Sequence, residues 1–154
     1  EYTILTDFIL SNTDRHYNNF GFLYHPQLHR LVKMAPVFDT GNSLFYNKEI
    51  IPQGSNLLDV TVNSFKKKEV SLLEYVSKSD LVGIGKLESF PKEVYNLLTC
   101  NTDMPDERAK SISGTVQQKL EYLKLFQQGK KIWKKENRFL IRQLRIITIK
   151  HAGW

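Results

Sequence analysis

From the second residue the chain carries Ile4, Leu5, Phe8 and Ile9 at the three- and four-residue intervals of a single helix face, which predicts a helix over residues 2–10. The run Ser11-Asn12-Thr13-Asp14 ends it, because short polar side chains compete with a helix for backbone hydrogen bonds. Beyond a polar loop, residues 20–24 and 31–34 read as two short strands, and His25-Pro26-Gln27-Leu28-His29 between them as a turn, so a β hairpin is expected. Its alternating Phe20, Phe22 and Tyr24 are expected to pack on a core face. A second polar loop covers residues 39–43. After Pro52-Gln53-Gly54-Ser55 the spacing turns helical, with segments near residues 68–76, 91–99 and 106–128. The longest of these puts Val116, Leu120 and Leu123 on one face and has Pro105 just inside its start. Near the end, Trp133, Leu140, Leu144 and Ile147 form an apolar stripe, with Arg138, Arg142 and Arg145 about 200° around the same helix. The expected fold class is therefore α+β, mainly α, with one small hairpin.

Composition narrows the class. A chain of 154 residues has room for one ordinary domain or one lobe of a larger enzyme. With 41% hydrophobic and 25% charged residues it can bury a core, which excludes disorder as its main state. No run approaches the roughly 20 apolar residues of a bilayer span, so no membrane partner is expected. The single Cys100 excludes an intrachain disulfide or a cysteine-rich zinc site and fits a reducing, cytoplasmic compartment. The first residues, Glu-Tyr-Thr, include no methionine and resemble no signal peptide, and further native sequence is expected upstream. Charge is uneven: Lys and Arg total 22 against 16 Asp and Glu, yet residues 130–150 hold eight of the bases and one acid. That divides the chain into a near-neutral unit, residues 1–129, and a basic amphipathic tail, residues 130–154. The tail reads first as a solvated helix face, and contact with nucleic acid or an acidic partner is the lesser expectation.

The densest polar cluster is Asn12-Thr13-Asp14-Arg15-His16-Tyr17-Asn18-Asn19, and the hairpin can return Asp39 beside it. Two carboxylates and an amide make a hard, oxygen-rich site suited to Mg²⁺, which takes few protein ligands and keeps waters. Phosphoryl transfer uses these parts: one Asp to orient the attacking hydroxyl, with an Asn five positions later and a second Asp on the metal. Alone, Asp14 and Asn12 would read as helix caps or an Asx-turn; the joint spacing of Asp14, Asn19 and Asp39 favours chemistry.

The segment Asp14-Arg15-His16-Tyr17-Asn18-Asn19 resembles the D-R-H-x-x-N catalytic loop of HipA-like serine/threonine kinases, a loop also similar to that of phosphoinositide-3/4-kinases. Met34-Ala35-Pro36-Val37-Phe38-Asp39 is similar to the segment before the metal-binding aspartate of the HipA-like group, and the likeness covers residues 4–46. The resemblance implies the C-terminal lobe of a protein-kinase-like fold, with the hairpin at an active site that uses ATP and Mg²⁺. Asp14 would be the catalytic base and Asn19 and Asp39 the Mg²⁺ ligands. Arg15 and His16 would be supports that orient the loop or neighbouring phosphates. It further implies a protein Ser/Thr substrate, a bacterial source, and an antitoxin-like protein partner through which nucleic acid would be met indirectly.

Only 13 residues precede Asp14, so the glycine-rich loop and strand lysine of a kinase N-terminal lobe are not among them, and the chain alone is expected to be an incomplete catalyst. Gly83-Ile84-Gly85-Lys86 reads as a turn between helices, not a replacement for that loop. His25 and His29 read as a surface turn, since Pro26 breaks any helix that would align them on a metal. The second expectation is a non-catalytic interaction module, a truncated or split lobe that leaves apolar surface exposed near residues 2–9 and on the hairpin and pairs with another chain. A remote third is an aspartic protease, because Asp39-Thr40-Gly41 matches the triplet of those largely β enzymes, two of which must meet to share a proton.

Overall fold

In the computed structural model, residues 1–100 and 102–134 are described. The architecture is α+β: about half the described residues are helical, and the β structure is one two-stranded antiparallel sheet. Helix α1, Tyr2–Leu10, forms where the apolar spacing predicts it and buries Leu5, Phe8 and Ile9. It stops at Ser11, whose left-handed backbone (φ 54°) ends the repeat while Asn12 N–H donates back to the Asp7 carbonyl at 2.9 Å. Strands β1, Phe22–His25, and β2, Arg30–Met34, form the expected hairpin, with Phe22 opposite Met34 and a bulge that places Tyr24 opposite Leu31. His25 and His29 do lie at its turn, where the Tyr24 hydroxyl and His29 Nδ1 share a hydrogen bond of 3.1 Å.

Helices α2, Phe90–Thr99, and α3, Asp106–Gln127, complete the framework. α3 is the beam against which α1 and α2 pack. Ile112, Val116, Leu120 and Leu123 point into the core with Phe8 of α1, Leu57, Leu58 and Leu73. Pro105 stands one position outside α3 rather than inside it; its carbonyl accepts the first helical bond, from Ala109 N–H at 3.0 Å. The far end closes as a Schellman motif, with Gly129 left-handed (φ +81°), its N–H on the Phe126 carbonyl at 2.9 Å, and Lys130 N–H on the Leu125 carbonyl at 3.1 Å.

Two further expectations need correction. Residues 68–76 do not form an α-helix: Glu69–Tyr75 is a 3₁₀ turn. Its start is held extended by the Thr61–Lys68 bridge and by Glu69 N–H on the Val60 carbonyl at 3.0 Å. Phe22 and Tyr24 do not pack on a core face. They are 54% and 53% exposed, because the hairpin stands with both faces open. The turn at 83–86 is a 3₁₀ turn, Ile84–Leu87. No helix among the described residues is long and apolar enough to cross a membrane. Arg138, Leu140, Arg142, Leu144, Arg145 and Ile147 of the tail stripes lie outside the described residues.

Candidate active site

The polar loop after α1 is built on a buried ion pair. Arg15 is 2% exposed and turns inward, its Nε donating to Asp7 Oδ2 at 2.8 Å and its Nη2 to Asp7 Oδ1 at 3.0 Å. This two-point geometry fixes the guanidinium plane. The remaining edge, Nη1, donates both to the Asn19 carbonyl and to the Phe38 carbonyl, the latter at 2.8 Å. One side chain therefore ties α1, the 14–19 loop and the residue before Asp39. Asn12 completes the arrangement, its Nδ2 on Asp7 Oδ1 at 2.9 Å and its Oδ1 taking Asp14 N–H at 3.2 Å in an Asx-turn.

Asp14 projects from this base with its side chain about 29% exposed. Both oxygens are aimed by amides: Asn42 Nδ2 donates to Oδ2 at 3.0 Å and Asn63 Nδ2 to Oδ1 at 2.7 Å. Each carboxylate oxygen still has an acceptor site free for an incoming hydroxyl. His16 lies alongside, its Nε2 3.7 Å from Asp14 Oδ1. Its Nδ1 accepts from Asn18 N–H at 3.2 Å, so it caps the 3₁₀ turn Tyr17–Asn19 and carries any single ring proton on the Asp14 side.

Asn19 is buried, and its Nδ2 donates to the Asp14 carbonyl at 2.7 Å. That bond commits the amide nitrogen and turns Oδ1 into the available ligand atom. Asp39 is exposed, has left-handed backbone (φ 53°), and makes no hydrogen bond or ion pair with any described residue. An Asn oxygen and a carboxylate with no partner among the described residues are the hard oxygen donors that Mg²⁺ takes beside phosphate and water, and Arg15 ties the Asn19 carbonyl to that of Phe38, the neighbour of Asp39. Among the described residues no three His, Cys, Asp or Glu side chains cluster as a metal cage.

Asp7, Asn42, Asn63 and Ser64 were not singled out by the sequence pattern. Asp7 did have a signal, being the one charged residue inside α1, eight residues ahead of an arginine. Asn63 had none; it reaches Asp14 across 49 residues, with Ser64 Oγ on the Arg15 carbonyl at 2.6 Å.

Elsewhere, Arg108 of α3 clamps the segment after the 39–43 loop through the carbonyls of Phe45 at 2.9 Å and Lys48 at 2.7 Å. Beneath the site Lys119 and Glu69 form a fully buried ion pair, with the ammonium 4.3 Å from the Phe8 ring centroid. Burial pushes the Glu69 carboxyl up to about 7 against the pull of Lys119, and burial pushes the Lys119 ammonium down. No family model, curated protein or solved structure matches the chain.

Proposed function

We propose that this chain transfers the terminal phosphoryl group of ATP, with Mg²⁺, to a serine or threonine of a protein, acting as the C-terminal lobe of a HipA-like, cytoplasmic bacterial kinase. Turnover on this reading needs a nucleotide-covering N-terminal lobe. The supporting observation is the convergence at Arg15, which bonds the carbonyls of Asn19 and Phe38 and so brings the two candidate ligand segments to one guanidinium.

In the mechanism, Asp14 accepts the proton of the acceptor hydroxyl as the hydroxyl oxygen bonds to the γ-phosphorus and the bond from that phosphorus to the oxygen leaving with ADP breaks, with Asn42 and Asn63 keeping the carboxylate aimed. Asn19 Oδ1 and the Asp39 carboxylate would hold Mg²⁺, which when bound supplies charge neutralisation at the phosphates. Arg15 acts through position, since its guanidinium faces the protein interior. The test is calorimetric titration of ATP with and without Mg²⁺, on this chain and on a two-lobed protein containing it. Mg²⁺-dependent binding by the two-lobed protein supports the proposal; binding by neither rejects it.

The second reading, an interaction module, is favoured by the open hairpin face, where Phe22, Tyr24, Leu31 and Met34 are each about half exposed or more. An antitoxin-like partner belongs to the same line of proposal. The protease alternative gains nothing from a fold whose described residues hold one two-stranded sheet and are otherwise helices, turns and loops.

A further inference from the structure

Building on the phosphoryl-transfer reading, we propose that the loop of residues 61–68 is the wall that selects the acceptor. It takes a segment with a large apolar or aromatic side chain beside the Ser or Thr and a carboxylate just beyond. The loop is closed at its base by the Thr61–Lys68 bridge and by Val62 N–H on the Lys67 carbonyl at 3.0 Å. Its tip is fastened to the candidate catalytic loop three times: Asn63 N–H on the Thr13 carbonyl at 2.8 Å, Asn63 Nδ2 on Asp14 Oδ1 at 2.7 Å, and Ser64 Oγ on the Arg15 carbonyl at 2.6 Å. The side chain next along the loop is thereby held at a fixed distance from Asp14.

That side chain is Phe65, which meets Tyr17 edge-on with centroids 4.9 Å apart and Phe20 at 5.8 Å. Tyr17 stands three residues after Asp14 and is 77% exposed. An aromatic ledge thus lies open beside the carboxylate that receives the acceptor, and an apolar neighbour of the acceptor would cover it. After Phe65 come three lysines. Lys66 is paired with Glu74 at 3.0 Å and Lys68 with Asp59, whereas Lys67 is exposed and has no ion pair among the described residues. The uncompensated charge on the loop complements an acid on the bound segment.

The test uses fluorescence anisotropy with three labelled serine peptides, whose flanks are Phe and Glu, Gly and Glu, or Phe and Lys. The Phe/Glu peptide should bind at least tenfold tighter than either of the others. Phe65→Ala should remove the preference for Phe and keep that for Glu. Lys67→Glu, an exposed change that leaves folding intact, should invert the charge preference so that the Lys peptide binds better. Equal affinity for all three peptides, or preferences unchanged in both variants, overturns the proposal. Titrating Mg²⁺-ATP into the two-lobed protein separates the two ideas: selective peptide binding without nucleotide binding rejects the kinase reading and retains the wall.

Discussion

Asp14 and Asp39 differ in what surrounds them, and the difference separates their expected phenotypes. Asp14 is held by two amides, so Asp14→Asn should leave Mg²⁺-ATP affinity unchanged and cut phosphoryl transfer roughly 10²–10⁴-fold, as removal of a general base does. Asp39→Asn should instead abolish the Mg²⁺ dependence of ATP binding. Asn is the clean substitution there because, like Asp, it tolerates the left-handed backbone at φ 53°. Calorimetry and radiolabel transfer in the two-lobed protein read both outcomes. Arg15→Met is expected to act on folding: leaving Asp7 buried without its partner should cost about 3–5 kcal/mol, measured by urea denaturation. The loop from Asp14 to Asn19 was legible in the sequence because a loop motif is local. The orientation of Asp14 was not, since Asn42 and Asn63 arrive from 28 and 49 residues away and nothing local marks them.

Among the elements, α1, α2, α3 and the hairpin were readable, since each is set by its own periodicity and turn residues. The Glu69–Tyr75 turn was not, because its apolar pattern is helical while its shape is decided by the Thr61–Lys68 bridge and by Lys119 on α3. The buried pair makes this junction sensitive to pH. The folded state raises Glu69 from its ordinary 4.5 to about 7, so it binds that proton more tightly than the unfolded chain does. Its stabilising contribution is complete below pH 4.5 and is lost as pH rises through 7. Lys119→Met removes the charge that holds Glu69 down. The variant should lose about 3–5 kcal/mol at about pH 7.5 and less at about pH 5, where the carboxyl is protonated. Urea midpoints at the two pH values, with the double variant Lys119→Met, Glu69→Gln as the control that removes the pH dependence, check this.

At the level of the whole molecule, the period-two pattern of the hairpin identified a face but not whether anything would cover it. The expectation of exposed apolar surface holds for the hairpin and largely fails for α1, where only Tyr2 is open and Leu5, Phe8 and Ile9 are buried. A two-stranded ribbon with Phe22, Tyr24, Leu31 and Met34 on one face is marginal by itself and invites association. Sedimentation should therefore show concentration-dependent self-association of the isolated chain. The double variant Tyr24→Glu, Leu31→Lys, whose opposite charges face each other across the strands, should suppress it while changing stability by no more than about 0.5 kcal/mol per site, as surface changes do.

Because the Arg15 guanidinium is shared by α1, the 14–19 loop and the segment before Asp39, neither loop can open without forfeiting bonds that hold the other. The two loops should behave as one cooperative unit in native-state hydrogen exchange, with the amides of Asn19 and Ala35 exchanging through a common opening and showing the same dependence on denaturant. Separate exchange isotherms for the two would mean that the shared guanidinium does not couple them.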